Sequence, residues 1–253
     1  MPGGLPWPDR WLGRSDTWFY ANLFAIVIRA NRIARAGNYD NRRWAGSSFD
    51  TIRLVERCGG QVTIAGALAL AEAKGPAVIV ANHMSMAETF ILPGLVLAFR
   101  GVSFVVKESL LHYPAFGAVL RACNPISVTR ENPREDLKAV FTQGQAALEA
   151  GRSVVVFPQA TRAPYFAPAL FNTLGVKLAA RAGVPVVPLA LKTDFQGTGR
   201  IIKDFGPIDR RQAMHYHFGA PIDPRGREKE THAQVVAFIR ERMTAWGGEV
   251  RNL

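Results

Sequence analysis

A histidine and a glutamate five residues apart are the strongest candidates for chemistry in this sequence. His83 and Glu88 lie in the segment NHMSMAE, residues 82–88, directly after the apolar run AVIVA at residues 77–81. Such a run predicts a buried strand, and in an open α/β sheet ligands bind at the carboxyl ends of the strands. Ser85 and Glu88 also have the spacing of a capping box, with Ser85 as N-cap and Glu88 at N3 of the next helix.

A carboxylate at N3 of that helix points back toward His83. It could accept a hydrogen bond from one imidazole nitrogen and leave the other free to take a proton, which is the arrangement of a general base with an orienting acid. The spacing also fits a glutamate that only caps its helix. From the residues alone, both interpretations of Glu88 stand.

The other candidate sites are weaker. His215 and His217 would share one face of a strand, but no carboxylate or cysteine at a metal-binding spacing joins them, so no metal site is expected. The two cysteines, Cys58 and Cys123, lie far apart in sequence and favour a reducing compartment. The sequence contains no GxxxxGK[ST], GxGxxG, GxSxG or HExxH motif.

Charge and composition limit the class of partner. The 253 residues carry 31 Lys and Arg against 20 Asp and Glu, a net charge of +11. Such a surface attracts anions, either nucleic acid, an anionic membrane or phosphorylated small molecules. A nucleic-acid groove needs stacking aromatics among its cations, whereas the aromatics here cluster in an apolar N-terminal segment. The 48% hydrophobic content and the mean hydropathy of +0.03 exclude wholesale disorder and a polytopic membrane protein.

The N-terminal segment differs from the rest of the chain. Four of the five tryptophans lie there, at Trp7, Trp11, Trp18 and Trp44. An apolar run at residues 18–28 is followed by arginines, and it is shorter than the roughly 20 residues that a spanning helix needs. We therefore expect residues 1–45 to form a helical segment on an anionic membrane surface, and the protein to be peripheral or monotopic on the cytoplasmic face. The alternative is a helix that packs on the core with a solvated basic face.

The remaining chain, residues 46–253, alternates between strand and helix patterns. This order predicts an α/β domain with a mostly parallel sheet flanked by helices. Strands are expected at residues 61–65, 77–81, 103–107, 125–129, 153–158 and 184–191, with an antiparallel extension at 199–218. Helices are expected at residues 49–57, 86–99, 110–122, 133–150, 169–182 and 228–246.

Several segments, in order along the chain, resemble the glycerolipid acyltransferases, the family of 1-acyl-glycerol-3-phosphate acyltransferase. NHMSMAE resembles the family's NHxSxxD, with Glu88 in place of Asp. Lys107 with LLHYPAFG at residues 110–117 is similar to its lysine and Phe-Gly segment, and NPISVTR at 124–130 to its second motif. FPQATR at 157–162 resembles FPEGTR, and 184–191 is similar to its VPxxPxxL segment.

This resemblance implies the same glycerolipid-acyltransferase-like fold and an acyl transfer reaction. The acyl group would pass from a thioester, acyl-CoA or acyl carrier protein, to the free hydroxyl of a membrane lysolipid. His83 would be the general base and Glu88 its orienting acid. The substrate-binding set implied for the headgroup is Lys107, Arg130, Gln159, Thr161 and Arg162. The chemistry requires no cofactor beyond the thioester co-substrate.

Three departures from the family pattern affect this site. Glu88 is one methylene longer than Asp, Gln159 replaces a glutamate beside Arg162, and Ala160 replaces a glycine. The acceptor is therefore expected to be either lysophosphatidic acid or a lyso-aminolipid. Two further interpretations remain open: a catalytically inactive relative that binds lipid, and a hydrolase that transfers the acyl group to water.

Overall fold

The computed structural model describes residues 15–159, 161–199 and 202–252. Trp7, Trp11 and the motif residue Ala160 lie outside the described residues, so the expectations that concern them stay predictions.

The strands within the described ranges are β1 Val62–Ala65, β2 Val78–Ala81, β3 Val102–Lys107, β4 Ile126–Val128, β5 Ser153–Val156, β6 Tyr165–Phe166, β7 Val186–Lys192, β8 Met214–Phe218 and β9 Glu249–Val250. Seven of them form one sheet in the order β1-β8-β7-β2-β5-β3-β4. All neighbours in this sheet are parallel except β7 and β8, which are antiparallel. The two short strands β6 and β9 pair with each other.

The central strand β2 is apolar throughout because both of its faces are covered. Val78 and Val80 point into one core cluster, and Ile79 and Ala81 point into the other. Helices therefore lie on both faces of the sheet, as a parallel sheet requires. They are α1 Asp16–Arg35, α2 Asn41–Arg57, α3 Ala69–Glu72, α4 Ala87–Leu97, α5 Gly117–Ala122, α6 Pro133–Glu149, α7 Leu174–Ala182 and α8 Glu228–Ala245.

Helices α1, α2 and α4 pack on one face of the sheet, and α6, α7 and α8 pack on the other. Because β2, β3, β4, β5 and β7 run in the same direction, their carboxyl ends lie along one edge. The expected mostly parallel α/β architecture is confirmed.

Several expected helix and strand bounds are wrong. The helix expected at residues 110–122 is a 3₁₀ turn, Glu108–His112, followed by α5, because Pro114 disfavours helix in the residue before it. The helix expected at 169–182 begins only at Leu174, after a second 3₁₀ turn. The helix expected at 49–57 begins earlier, at Asn41, where the Asp40 carboxylate accepts from the Arg43 N–H at 2.8 Å. Among the described residues of the extension expected at 199–218, only β8 is a strand of the main sheet, and it is antiparallel to β7.

The N-terminal helices share the core of the sheet. Phe19 and Leu23 of α1 are buried in the same cluster as β2, and residue 45 lies inside α2. Trp18 and Trp44 are partly buried against the core. None of the helices in the described part of the chain combines the length and hydropathy that a bilayer crossing requires.

Candidate active site

His83 lies where the chain leaves the carboxyl end of β2. The residue before it, Asn82, is fully buried, and its side chain forms two hydrogen bonds with the backbone of Leu191 on β7. Asn82 Nδ2 donates to the Leu191 carbonyl at 2.7 Å, and the Leu191 N–H donates to Asn82 Oδ1 at 2.8 Å. This pair of bonds fixes the exit of β2 against its neighbour and therefore positions His83.

Glu88 occupies the first turn of α4 and is fully buried. Its Oε1 contacts His83 Nδ1 and accepts from the Met84 N–H at 3.0 Å. Its Oε2 accepts from the Thr193 hydroxyl at 2.6 Å and from the Ser85 N–H at 3.4 Å. Four donors thus surround this carboxylate, which is the condition under which a buried charge is tolerated.

The capping box expected from Ser85 and Glu88 is only half formed. Glu88 reaches back to the Ser85 N–H, but α4 begins at Ala87 with Met86 as its N-cap. The Ser85 hydroxyl donates instead to Thr193 Oγ1 at 2.9 Å. The prediction of Ser85 as the N-cap is therefore wrong. Its hydroxyl binds Thr193, the residue whose own hydroxyl donates to Glu88.

The His83 ring is held in one orientation with one nitrogen left open. It stacks on Phe157, with ring centroids 4.2 Å apart and an interplanar angle of 17°. Nδ1 is bound to Glu88, and Nε2 has no hydrogen-bond partner among the described residues. The side chain is 18% exposed, so a ligand can reach it. The glutamate's extra methylene has not separated the pair.

A buried tyrosine lies within the electrostatic field of this pair. Burial and the nearby Glu88 charge raise the pKa of Tyr216 well above its usual value, so its hydroxyl stays neutral. Tyr216 therefore adds no negative charge beside the His83–Glu88 pair.

The loop after β5 brings part of the expected substrate-binding set to His83. The Ala163 N–H donates to the His83 carbonyl at 3.0 Å, so Arg162 lies next to the histidine backbone. Arg162 forms an ion pair with Asp204, and Thr161 is exposed.

Gln159 points inward from the same loop. It is buried, its Nε2 donates to the Tyr165 carbonyl at 3.4 Å, and its Oε1 has no hydrogen-bond partner within the described part of the chain. The structure therefore places Gln159 behind the exposed surface that Thr161 and Arg162 present.

Lys107 and Arg130 lie further along the same edge. Lys107 ends β3, opposite Val128, and Arg130 follows β4 two residues later. Both are exposed, and Arg130 has a φ of 63°, with its N–H donated to Asp136 at 2.7 Å. At about 4.8 Å per strand, Lys107 is some 10 Å from β2 and Arg130 further. They share the edge with His83 without contacting it.

The histidines of β8 have aromatic partners. His215 stacks on Trp246 with centroids 4.8 Å apart, and His217 lies 6.4 Å from the same ring. Burial lowers the pKa of both. Among the described residues, no group of three or more potential metal ligands comes together.

Comparison with known proteins identifies the family of the chain. Residues 61–192 match the family model described as acyltransferase. The chain belongs to the acyltransferase family. That region runs from the residue before β1 to the end of β7 and contains all seven expected site residues. The resemblance to the glycerolipid acyltransferases is confirmed.

Named relatives agree with this assignment. The chain is 40% identical over 184 residues to the 1-acyl-sn-glycerol-3-phosphate acyltransferase of Pseudomonas aeruginosa, covering 69% of this chain and 63% of that protein. It is 32% identical over 178 residues to one from Chlamydomonas reinhardtii, covering 70% of this chain and 49% of that one. The chain thus spans less than two thirds of each of these curated relatives.

The fold is also that of a solved acyltransferase. The crystal structure of the 1-acyl-sn-glycerophosphate acyltransferase PlsC from Thermotoga maritima matches with a TM-score of 0.67 and 18% identity, covering 91% of this chain and 95% of that one. At this identity the likeness shows the fold alone.

Sequence reasoning missed three residues of this candidate site. Thr193 and Asn82 hold Glu88 and the end of β2, and Phe157 supports the His83 ring. Phe157 and Asn82 belong to matched motifs and could have been singled out there. Thr193 follows β7, and no signal in the sequence places it beside Glu88.

We expect Thr193→Val to weaken both the site and the fold. The substitution removes the donor to Glu88 Oε2 and leaves the Ser85 hydroxyl without its acceptor, so the free energy of unfolding should fall by about 1–3 kcal/mol. Urea denaturation measures this loss. Thr51→Val is the matched control, because Thr51 is also buried and its hydroxyl donates to the Ser47 carbonyl within its own helix and not to Glu88.

The two variants separate an effect on the position of Glu88 from a general loss of stability. Thr193→Val should lower the turnover rate as well as stability, whereas Thr51→Val should lower stability alone. Equal rates for the two variants would show that Thr193 does not position Glu88.

Proposed function

We propose that this protein transfers an acyl group from an acyl thioester to the free hydroxyl of a lysolipid. The observation that carries the proposal is the His83–Glu88 pair at the carboxyl end of β2, with Nε2 open and Nδ1 held by a buried carboxylate. A histidine in this state is a general base within a strand-end ligand site.

The proposed reaction needs one proton acceptor and one charge partner. As the lysolipid oxygen attacks the thioester carbonyl carbon, its proton passes to His83 Nε2. Glu88 stabilises the imidazolium through Nδ1 and keeps the ring in one tautomer. When the tetrahedral intermediate collapses, the carbon–sulfur bond breaks and the thiolate takes the proton from Nε2. An ester and a free thiol result, and His83 is neutral again.

The donor in this proposal is acyl-CoA or acyl carrier protein, and no cofactor takes part. The acceptor is a lysolipid, and the curated relatives are named for 1-acyl-sn-glycerol-3-phosphate, which makes lysophosphatidic acid the first acceptor to test. Arg162, beside the His83 backbone, is the residue best placed to bind the headgroup. Lys107 and Arg130 supply positive charge further along the edge. Gln159 in place of the motif glutamate keeps a lyso-aminolipid as the second candidate acceptor.

The test is an acceptor panel read by intact-lipid mass spectrometry. Protein in liposomes receives acyl-CoA or acyl carrier protein with lysophosphatidic acid, zwitterionic lysophospholipids or amino-acid lysolipids. An acylated lysolipid made by the wild type and absent with His83→Ala supports the proposal. Lipid binding without any acylated product, from either donor, would mean an inactive lipid-binding relative.

We also propose that α1 docks the protein on the cytoplasmic face of an anionic membrane. Phe24 and Ile28 are each 43% exposed on its outer side, and Phe24 stacks on the exposed Phe205. Arg32 and Arg35 continue the same helix toward its C-terminus and are exposed. An apolar patch beside cations fits the interface of an anionic bilayer, and a lysolipid acceptor resides there.

Glutamate at both Phe24 and Ile28 should weaken liposome binding by at least about tenfold, because two apolar side chains no longer enter the interface. Co-flotation with anionic liposomes measures this loss. The matched control is Leu137→Glu, since Leu137 is equally exposed on α6, across the sheet. Equal flotation of the double variant and the control would rule out docking through α1.

A further inference from the structure

Asp204 reaches the active-site edge from a segment that follows β7. The described residues 196–199 lie beside 202–208: the Gly197 N–H donates to the Pro207 carbonyl at 2.9 Å, and Gln196 forms an antiparallel β-bridge with Ile208. The segment packs against α1, because the Tyr20 hydroxyl donates to the Gly206 carbonyl at 2.6 Å. Asp204 is therefore held by the fold.

One buried side chain connects Asp204 to the start of α4. Gln196 Nε2 donates to the Asp204 carbonyl at 3.0 Å, and Gln196 Oε1 accepts from the Ala87 N–H at 2.7 Å. Ala87 precedes Glu88 directly. The Asp204 backbone thus has a fixed relation to the helix turn that carries the orienting acid.

The Asp204 carboxylate forms its ion pair with Arg162 beside His83. The two side chains are 41% and 30% exposed, so a ligand can reach both. Gln159, where the related motif has glutamate, is an uncharged amide and is buried. The acidic partner of Arg162 therefore comes from a different loop, about forty residues further along the chain.

We infer that Asp204 is a specificity-determining residue that favours acceptor headgroups with an ammonium next to their anion. This inference rests on the proposed transfer to a lysolipid. A phosphate monoester dianion bound at Arg162 would lie against the Asp204 carboxylate. The two negative charges would be in contact and would repel each other. A zwitterionic headgroup places its anion on Arg162 and its ammonium on Asp204, so both charges are matched.

The test compares two acceptors that differ only in the headgroup, lysophosphatidic acid and lysophosphatidylethanolamine with the same acyl chain. In Asp204→Asn, the ratio of kcat/KM for the phosphate monoester over the zwitterion should rise by about tenfold or more. The rise should come mainly from KM, since His83 and Glu88 are unchanged. Asp223→Asn is the matched control, because it removes the same charge from an exposed pair with Arg225.

A binding measurement keeps this inference separate from the proposed function. Without a thioester, calorimetry with soluble short-chain lysophosphatidic acid should show about tenfold tighter binding to Asp204→Asn than to wild type. Tighter binding with no acyl transfer by any variant would sustain the role of Asp204 and contradict the proposed function. Acyl transfer with Asp204→Asn indistinguishable from Asp223→Asn in ratio and in binding would overturn the role of Asp204 alone.

Discussion

His83→Ala is expected to lower the rate of acyl transfer by about 10³-fold, the middle of the range for removing a positioned general base. Alanine has no nitrogen where Nε2 was, so no group at that position takes the proton from the attacking hydroxyl. The residual rate would come from binding the two substrates side by side. The rate is measured as acylated lysolipid formed in liposomes with saturating thioester.

The control for this prediction is another histidine. His232 lies on α8, and its ring stacks on that of Phe171 with centroids 6.0 Å apart. The rate of acyl transfer by His232→Ala should therefore stay within about twofold of wild type, as expected for a substitution outside the site. Melting curves for both variants establish that each is folded at the assay temperature. A folded His83→Ala that keeps a tenth of the wild-type rate would remove His83 as the base.

Glu88→Gln is expected to lower the rate by about 10²–10⁴-fold, because a neutral amide cannot stabilise the imidazolium. It should also reduce stability by about 1–3 kcal/mol, since the amide nitrogen faces groups that donate and cannot accept from them all. The Met84 and Ser85 N–H groups and the Thr193 hydroxyl all point at this carboxylate. Steady-state rates and urea denaturation measure the two effects.

Glu88→Asp separates the effect of the negative charge from the effect of the side-chain length. Aspartate keeps the negative charge but is one methylene shorter, so it cannot contact His83 and Thr193 together as Glu88 does. We expect it to be slower than wild type and faster than Glu88→Gln. If Glu88→Gln transferred acyl groups at the wild-type rate, Glu88 would be a helix cap only.

The local part of this site could be predicted from the sequence. The run at residues 77–81 is apolar on both faces because β2 is central, and the polar NHMSMAE segment begins where it ends. His83 and Glu88 are near neighbours in sequence, so their contact depends only on a strand, a turn and a helix start. Family motifs then added the residues at the ends of the other strands.

The long-range part could not be predicted, because it depends on strand order. Thr193 contacts Glu88 only because β7 lies beside β2, and a single sequence does not specify which strands are neighbours. Asp204 meets Arg162 only because residues 202–208 turn back beside 196–199 after β7. The break before α5 could have been predicted from the sequence, because Pro114 marks it. The structure shows why a glycine follows at residue 117: a Cβ there would approach the Leu111 carbonyl oxygen to 2.4 Å.

The most direct test of the central proposal follows the acyl group and the thioester together. Wild-type protein in liposomes receives the best acceptor of the panel, and free thiol, acylated lysolipid and free fatty acid are quantified in the same sample. Transfer to the lysolipid hydroxyl predicts one acylated lysolipid for each thiol released, with both products lost in His83→Ala. Free fatty acid as the main product in the presence of every acceptor would show that water is the true acceptor and that the protein is a thioester hydrolase.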